Sequence, residues 1–326
     1  MSLLKRALIC ALMMAGLSQG AASEDLRFAH FVAPTHTLTE AIVRPLTEGI
    51  SGAGLSLQVY PAGELGANPA DQYLRVLQGV ADIVWSLPGY TSSQFPLSML
   101  TELPGVQSSN QTGADLLWNA WEAGHLAKEY PAVTPLAFWT AEPAVLILRG
   151  RAVTRPEEMN GLKIRVSSAV AAGMVSALDA APVQMPAGDV YNALQTGLID
   201  GTIVGASAIR DFRYDEVLSH VVTGLPLGNQ AFYVVANSAR LNALPEPERA
   251  ALLAASGREL SRHAERLWNE KAAAALDALR ARDPAIVVEL SADQRSGFEA
   301  TLFAWRDVEI ARLGAENTLT VMRGAQ

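Results

Sequence analysis

Strand-length apolar segments alternate with helix-length amphipathic ones from residue 26 to residue 290, and this alternation restricts the chain to α/β architectures. Segments 26–31, 55–59, 81–87, 134–139 and 145–148 read as strands, and so do 162–166, 182–185, 200–204, 231–236 and 286–290. The run from Ala81 to Leu87 is apolar almost without interruption, the pattern of a strand covered on both faces of its sheet. Helices are expected at 38–50, from Pro69, and at 113–130, 170–178, 189–194 and 292–313. Pro45 should kink or split the first, because proline cannot donate the N–H that an interior helix position supplies. Residues 245–282 read as one long helical stretch, with Pro245 and Pro247 near its start and Glu246 and Glu248 in its first turn.

The alternation falls into two blocks, and strand 231–236 is expected to return to the first. The implied fold is α/β, a two-domain hinged clamshell whose long helix spans both domains. Domain I takes residues 24–143 plus about 226–260, and domain II takes 144–225 plus about 261–326, with stretch 245–282 shared. Residues 1–23 read as a Sec-type signal peptide: Lys5 and Arg6 precede an apolar run too short to span a bilayer, and small residues follow at 20–23. Cys10 lies inside that leader, so the exported chain would carry no disulfide, thiol nucleophile or thiolate metal site. A periplasmic location follows as an expectation. The net charge of −8 argues against a nucleic-acid partner, which would favour a basic surface.

Arg165 is the residue placed most pointedly. Leu162, Ile164 and Val166 alternate with Lys163 and Arg165 in a short strand. Asn160-Gly161 supplies a turn before it, and Ser167-Ser168 can cap a helix after it. In open α/β sheets, ligands bind at that strand-to-helix edge. A guanidinium there can hold a carboxylate through two parallel hydrogen bonds, although a surface arginine in a salt bridge would read the same way locally.

Catalytic motifs are poor. There is no phosphate loop, no HExxH and no GxGxxG after a strand, so no cofactor or metal is implied. The one GxSxG match, at 16–20, lies in the leader. The five histidines are scattered, and His30 and His36 are separated by a turn containing Pro34. Glu64 and Asp71 could pair for acid–base work, as could many carboxylates. Trp85, Tyr90 and Trp139 lie at or just after strand ends, where core packing competes with a ligand-facing role. His30 and Phe31, at the end of the first strand, are candidates on the same ground.

The stretch from Arg155 to Val166 resembles the "tPeDlkGlKiRv" signature of solute-binding proteins of TRAP (tripartite ATP-independent periplasmic) transporters, DctP type. Ala181–Pro186 is similar to the "GA-x-P-x-x-M" stretch of that family, and Asp189–Gly201 to its "evYtALqtGvvDG". Upstream, Tyr60–Gly66 resembles "yPsgqLG" and Gln78–Ile83 resembles "lrxGtxDi". Order and spacing hold over most of the chain after the leader.

The resemblance implies the periplasmic-binding-protein clamshell and a receptor rather than an enzyme. Its ligand would be a small organic carboxylate and its partners the TRAP membrane permease subunits. Arg165 matches the family arginine that pairs with the ligand carboxylate. Many members place a second arginine where this chain has Val145, some an asparagine where it has Val204, and often an aromatic where it has Ala187. Arg149 and Arg151 stand near Val145. The expected ligand is therefore a monocarboxylate with an apolar or aromatic body. The alternatives are a dicarboxylate or sugar acid, or an exported enzyme on a similar fold.

Overall fold

A computed structural model describes residues 24–108 and 110–324; the expected leader lies outside them. The apolar segments pair into two sheets. The first has the order β2 (Leu55–Tyr60), β1 (Glu24–Ala29), β3 (Ile83–Ser86), β10 (Ala231–Asn237) and β4 (Val133–Thr140). Strands β1, β2 and β3 are parallel, and β10 enters antiparallel between β3 and β4, returning to the first block as expected. The second sheet has the order β11 (Val287–Glu289), β9 (His220–Thr223), β5 (Ala144–Leu148), β8 (Gly201–Gly205), β6 (Lys163–Val166) and β7 (Ala181–Gln184).

Both sheets are buried on both faces, which is why their strands are continuously apolar. Ile83, Trp85, Phe232 and Val234 face one core of the first sheet; Val84, Tyr233 and Val235 face the other. In the second sheet Leu146 and Leu148 face one core, and Val145 and Ile147 the other.

Helices cover these faces. Around the first sheet lie α1 (Arg44–Gly49), α2 (Gln72–Leu77) and α3 (Gly113–Glu122). Around the second lie α4 (Ala169–Ala177), α5 (Val190–Thr196) and α6 (Ala208–Asp211). Pro45 has the effect expected of it: a π-helical turn, Thr39–Val43, precedes α1 and absorbs the missing donor.

The stretch 245–282 is not one helix. After α7 (Ser238–Ala243) it forms α8 (Glu246–Ala254) and α9 (Arg258–Arg282). The break falls at Gly257, whose φ of 88° is a left-handed conformation that L side chains rarely adopt. The Gly257 N–H turns aside to the Leu136 carbonyl instead of continuing the helix. Helix α9 alone, 25 residues and roughly 37 Å long, crosses both lobes. Its Leu260, Ala264 and Trp268 pack against the first sheet, and its Ala272, Ala275 and Leu279 against the second.

Two helices complete the second crossing, α10 (Ala292–Leu313) and α11 (Glu316–Met322). Phe298 and Leu302 of α10 join a core of the second sheet, while Leu319 and Met322 of α11 pack with Leu116 and Leu117 of the first. Residues 261–268, in the stretch expected to be shared, and residues 315–322 contact the first lobe. Strand β9 and helices α6, α7 and α11 have no counterpart among the expected elements.

Candidate ligand-binding cleft

The carboxyl ends of β3, β6 and β8 and the amino end of the antiparallel β10 meet across a narrow cleft between the two sheets. Strand β3 delivers Trp85, and the 3₁₀ turn Pro88–Thr91 that follows it delivers Tyr90. Strand β6 delivers Arg165, β8 delivers Val204, β10 Phe232 and α9 Trp268. Aromatic rings form one wall. Tyr90 meets Phe31 edge-on at 5.7 Å, Phe31 stacks on Trp85 at 4.8 Å, and Trp85 lies 5.6 Å from the His36 ring.

Arg165 is 1% exposed. The local pattern explains its position: Ile164 and Val166 anchor the strand in the core, and the Ser168 hydroxyl caps α4 by accepting from the Ala171 N–H. One edge of the guanidinium is fixed, because Nε and Nη2 both donate to the Met185 carbonyl at 2.9 and 2.8 Å. Among the described residues no carboxylate lies within 4.0 Å of it. The nearby Glu102 carboxyl does not supply a firm counter-charge, since burial pushes it up to about 7. A buried cation without an anionic partner is costly, and an incoming anion relieves that cost.

At the other end of the ring wall stand His36 and Asp211. His36 Nδ1 accepts from the Leu38 N–H at 3.1 Å, which assigns the proton of the neutral ring to Nε2. Burial pushes the His36 imidazole down to about 3, so it is neutral at physiological pH. Nε2 lies 3.4 Å from Asp211 Oδ2, and Oδ1 accepts from the Thr37 N–H at 3.2 Å. Burial raises the Asp211 carboxyl to about 6.

Polar bonds join the lobes around the cleft. The Tyr90 hydroxyl accepts from the Ala187 N–H at 3.1 Å, and the Ser92 hydroxyl from the Ala169 N–H at 3.0 Å. The Ser168 hydroxyl donates to Glu102, and the Gln230 amide donates to the Ser167 hydroxyl. Gly89 permits this approach: a Cβ there would stand 2.8 Å from that of Ser168. The lobes are thus closed on each other.

Of the residues singled out from sequence, Arg165, Trp85, Tyr90, Phe31, Ala187 and Val204 line the cleft. Trp139 does not; it is fully buried behind the wall, packed on Phe232 and Trp268. His30 is also buried away from the cleft, edge-on to Phe28, and burial pushes its ring down to about 4. Val145 pairs with Val204 across β5 and β8 but packs into the adjoining core and a separate crevice. Arg149 and Arg151 are exposed beyond the far end of β5 and line no part of the cleft. Asp211, Phe212, Gln230, Phe232 and Trp268 line it without having been singled out as ligand-facing, and so does His36, for which the sequence left helix capping or a ligand hydrogen bond open. A tryptophan beside Leu267, among Arg266, Asn269, Glu270 and Lys271, was the local signal for Trp268.

Residues 28–307 match the family model described as bacterial extracellular solute-binding protein, family 7. The chain belongs to this family. Among curated members, the C4-dicarboxylate-binding periplasmic protein DctP of Rhodobacter capsulatus is 28% identical, over 91% of this chain and 89% of the relative. A TRAP solute-binding protein of Rhodoferax ferrireducens, solved with copurified benzoate, superposes with a TM-score of 0.82 at 26% identity. That match covers 92% of this chain and 96% of the other. A marine-metagenome TRAP solute-binding protein specific for aromatic acids superposes with a TM-score of 0.83 at 23% identity, over 92% and 98% of the two chains, and supports the fold alone. Family 7 members are solute receptors of TRAP transport systems, and this chain shares their two-sheet fold and long crossing helix.

Proposed function

We propose that this family 7 protein is a periplasmic receptor for a small monocarboxylate with an apolar or aromatic body, which it delivers to a TRAP membrane permease. The observation that carries the reading is Arg165, buried, fixed along one edge by Met185, and without a carboxylate partner among the described residues, at the end of a ring-lined cleft. Its Nη1 edge is the fork that a ligand carboxylate would take bidentately. Trp85, Tyr90 and Phe31 would cover the ligand body, and Ala187 and Val204 would leave it room. The benzoate found in the Rhodoferax relative fits such a site.

A dicarboxylate reading is favoured by the Rhodobacter relative. Against it stands the lining itself: beside Arg165, among the described residues, it carries no second arginine or lysine and does carry Asp211. A second buried carboxylate would face an acid rather than a cation. An enzymatic reading finds little support, because His36 Nδ1 is occupied by the Leu38 N–H and Nε2 carries the ring's proton, leaving neither nitrogen to act as a base. For the motion, we propose that residues 24–143 and about 226–268 move with 315–322 as one lobe, and the remainder as the other.

A thermal-shift panel of small acids tests the proposal. An aryl monocarboxylate at a hundred times its dissociation constant should add about 2.7 kcal/mol of stability. Succinate or a hexuronate shifting the midpoint, with no aryl or alkyl monocarboxylate doing so, would replace the reading with one of the alternatives.

A further inference from the structure

We infer that the His36–Asp211 pair is a hydroxyl-reading subsite, so that the ligand is a hydroxyaryl carboxylate whose acid group lies on Arg165. The inference rests on the monocarboxylate reading and extends it. The two polar ends of the cleft have separate neighbours: Met185 and Tyr90 surround Arg165, whereas Thr37, His36 and Lys271 surround Asp211. The rings of Tyr90, Phe31 and Trp85 run from the first end to His36 at the second. A flat ligand body laid along that wall would bring its far substituent to the pair.

The pair offers complementary chemistry. His36 Nε2 carries a proton, and Asp211 Oδ2 is a buried acceptor with no hydrogen-bond partner. Both side chains are more than nine-tenths buried, at 6% and 8% exposure. At 3.4 Å apart, the two atoms can both reach one oxygen placed between them. A hydroxyl satisfies both at once, donating to Oδ2 and accepting from Nε2–H. An ether oxygen could only accept, and an ammonium could only donate and would oppose the Nε2 proton. The indole Nε1 of Trp85, also buried and without a partner, adds a donor on the same wall.

Titration calorimetry with 3-hydroxyphenylacetate, phenylacetate, 3-methoxyphenylacetate and 3-(aminomethyl)phenylacetate, together with their 4-substituted isomers, tests this. Wild type should bind one hydroxylated acid at least tenfold more tightly than phenylacetate and its own methyl ether. Asp211→Asn keeps an acceptor for the Thr37 N–H. It should erase that preference, bringing the hydroxylated acid within about threefold of phenylacetate on the same variant, since a lost hydrogen bond to a charged group is worth roughly tenfold or more. Circular dichroism would confirm that the variant is folded. Phenylacetate binding as tightly as both hydroxylated acids in wild type would overturn the subsite and leave the receptor reading intact. Tightest binding of an aminomethyl compound would also overturn it, in favour of a cation site. Binding of none of these acids would overturn the monocarboxylate reading itself.

Discussion

Arg165→Ala tests the smallest unit of the account. Removing one partner of a buried charge pair costs about 2–5 kcal/mol, so affinity for the cognate acid should fall at least tenfold in calorimetry while the fold survives. Arg165→Lys should bind poorly as well, because an ammonium cannot donate to Met185 and grip a carboxylate with the same planar fork. Wild-type affinity in Arg165→Ala would remove this residue from the site. Arg165 was legible in the sequence because its placement is local: an alternating strand, then a serine cap. Asp211 and Trp268 were not, because each reaches the cleft only through packing between lobes. Trp139 and His30 misled for a related reason. A ring at a strand end can point to either face, and only the sheet's other neighbours decide which face is core.

At the scale of elements, helix α9 does more than cross the lobes. Its Glu265 carboxylate accepts from the N–H groups of Gly113 and Ala114 at 2.8 and 2.7 Å, stabilising the first turn of α3. Glu265→Ala should leave both donors buried and unpaired, lowering unfolding stability by about 2 kcal/mol or more in a denaturant titration. Glu265→Gln should recover part of that loss. A change below a few tenths of a kcal/mol for the alanine variant would mean that water replaces the carboxylate. A second contact shows why α4 must be small where it faces α10: at Gly173 of α4, a Cβ would lie 2.5 Å from the Trp305 ring of α10. Most strands and helices follow from apolar periodicity, but the long stretch 245–282 was read as continuous across Gly257. A single glycine inside a helical pattern is tolerated in many helices. Here the Leu136 carbonyl draws its N–H away, and no sequence pattern encodes that contact. Strand β9 is only four residues long and acquires its identity from pairing with β5 and β11.

For the whole molecule, the buried acids between the lobes make the closed form sensitive to pH. Burial pushes the Glu102 carboxyl up to about 7 from an ordinary value of 4.5, with the Ser168 hydroxyl bond pulling it partly back. A folded value above the unfolded one means stability that is present below pH 4.5 and lost as pH rises through about 7. Glu142 acts in the same direction, and the neutral buried His30 and His36 act oppositely at lower pH. Glu102→Gln isolates one contribution: its melting midpoint should exceed wild type by about 2 °C or more at pH 8, and the gap should narrow or reverse by pH 5. An equal offset at both pH values would show that Glu102 does not titrate with folding. The central claim, that closure of the lobes captures a monocarboxylate with an apolar body on Arg165, is tested most directly by calorimetric titration of the wild-type protein with paired acids. Benzoate-like acids should bind with one-to-one stoichiometry and be recovered unchanged, while succinate and malate bind at least tenfold more weakly. Tight binding of succinate or malate, with no heat from any apolar monocarboxylate, would contradict it.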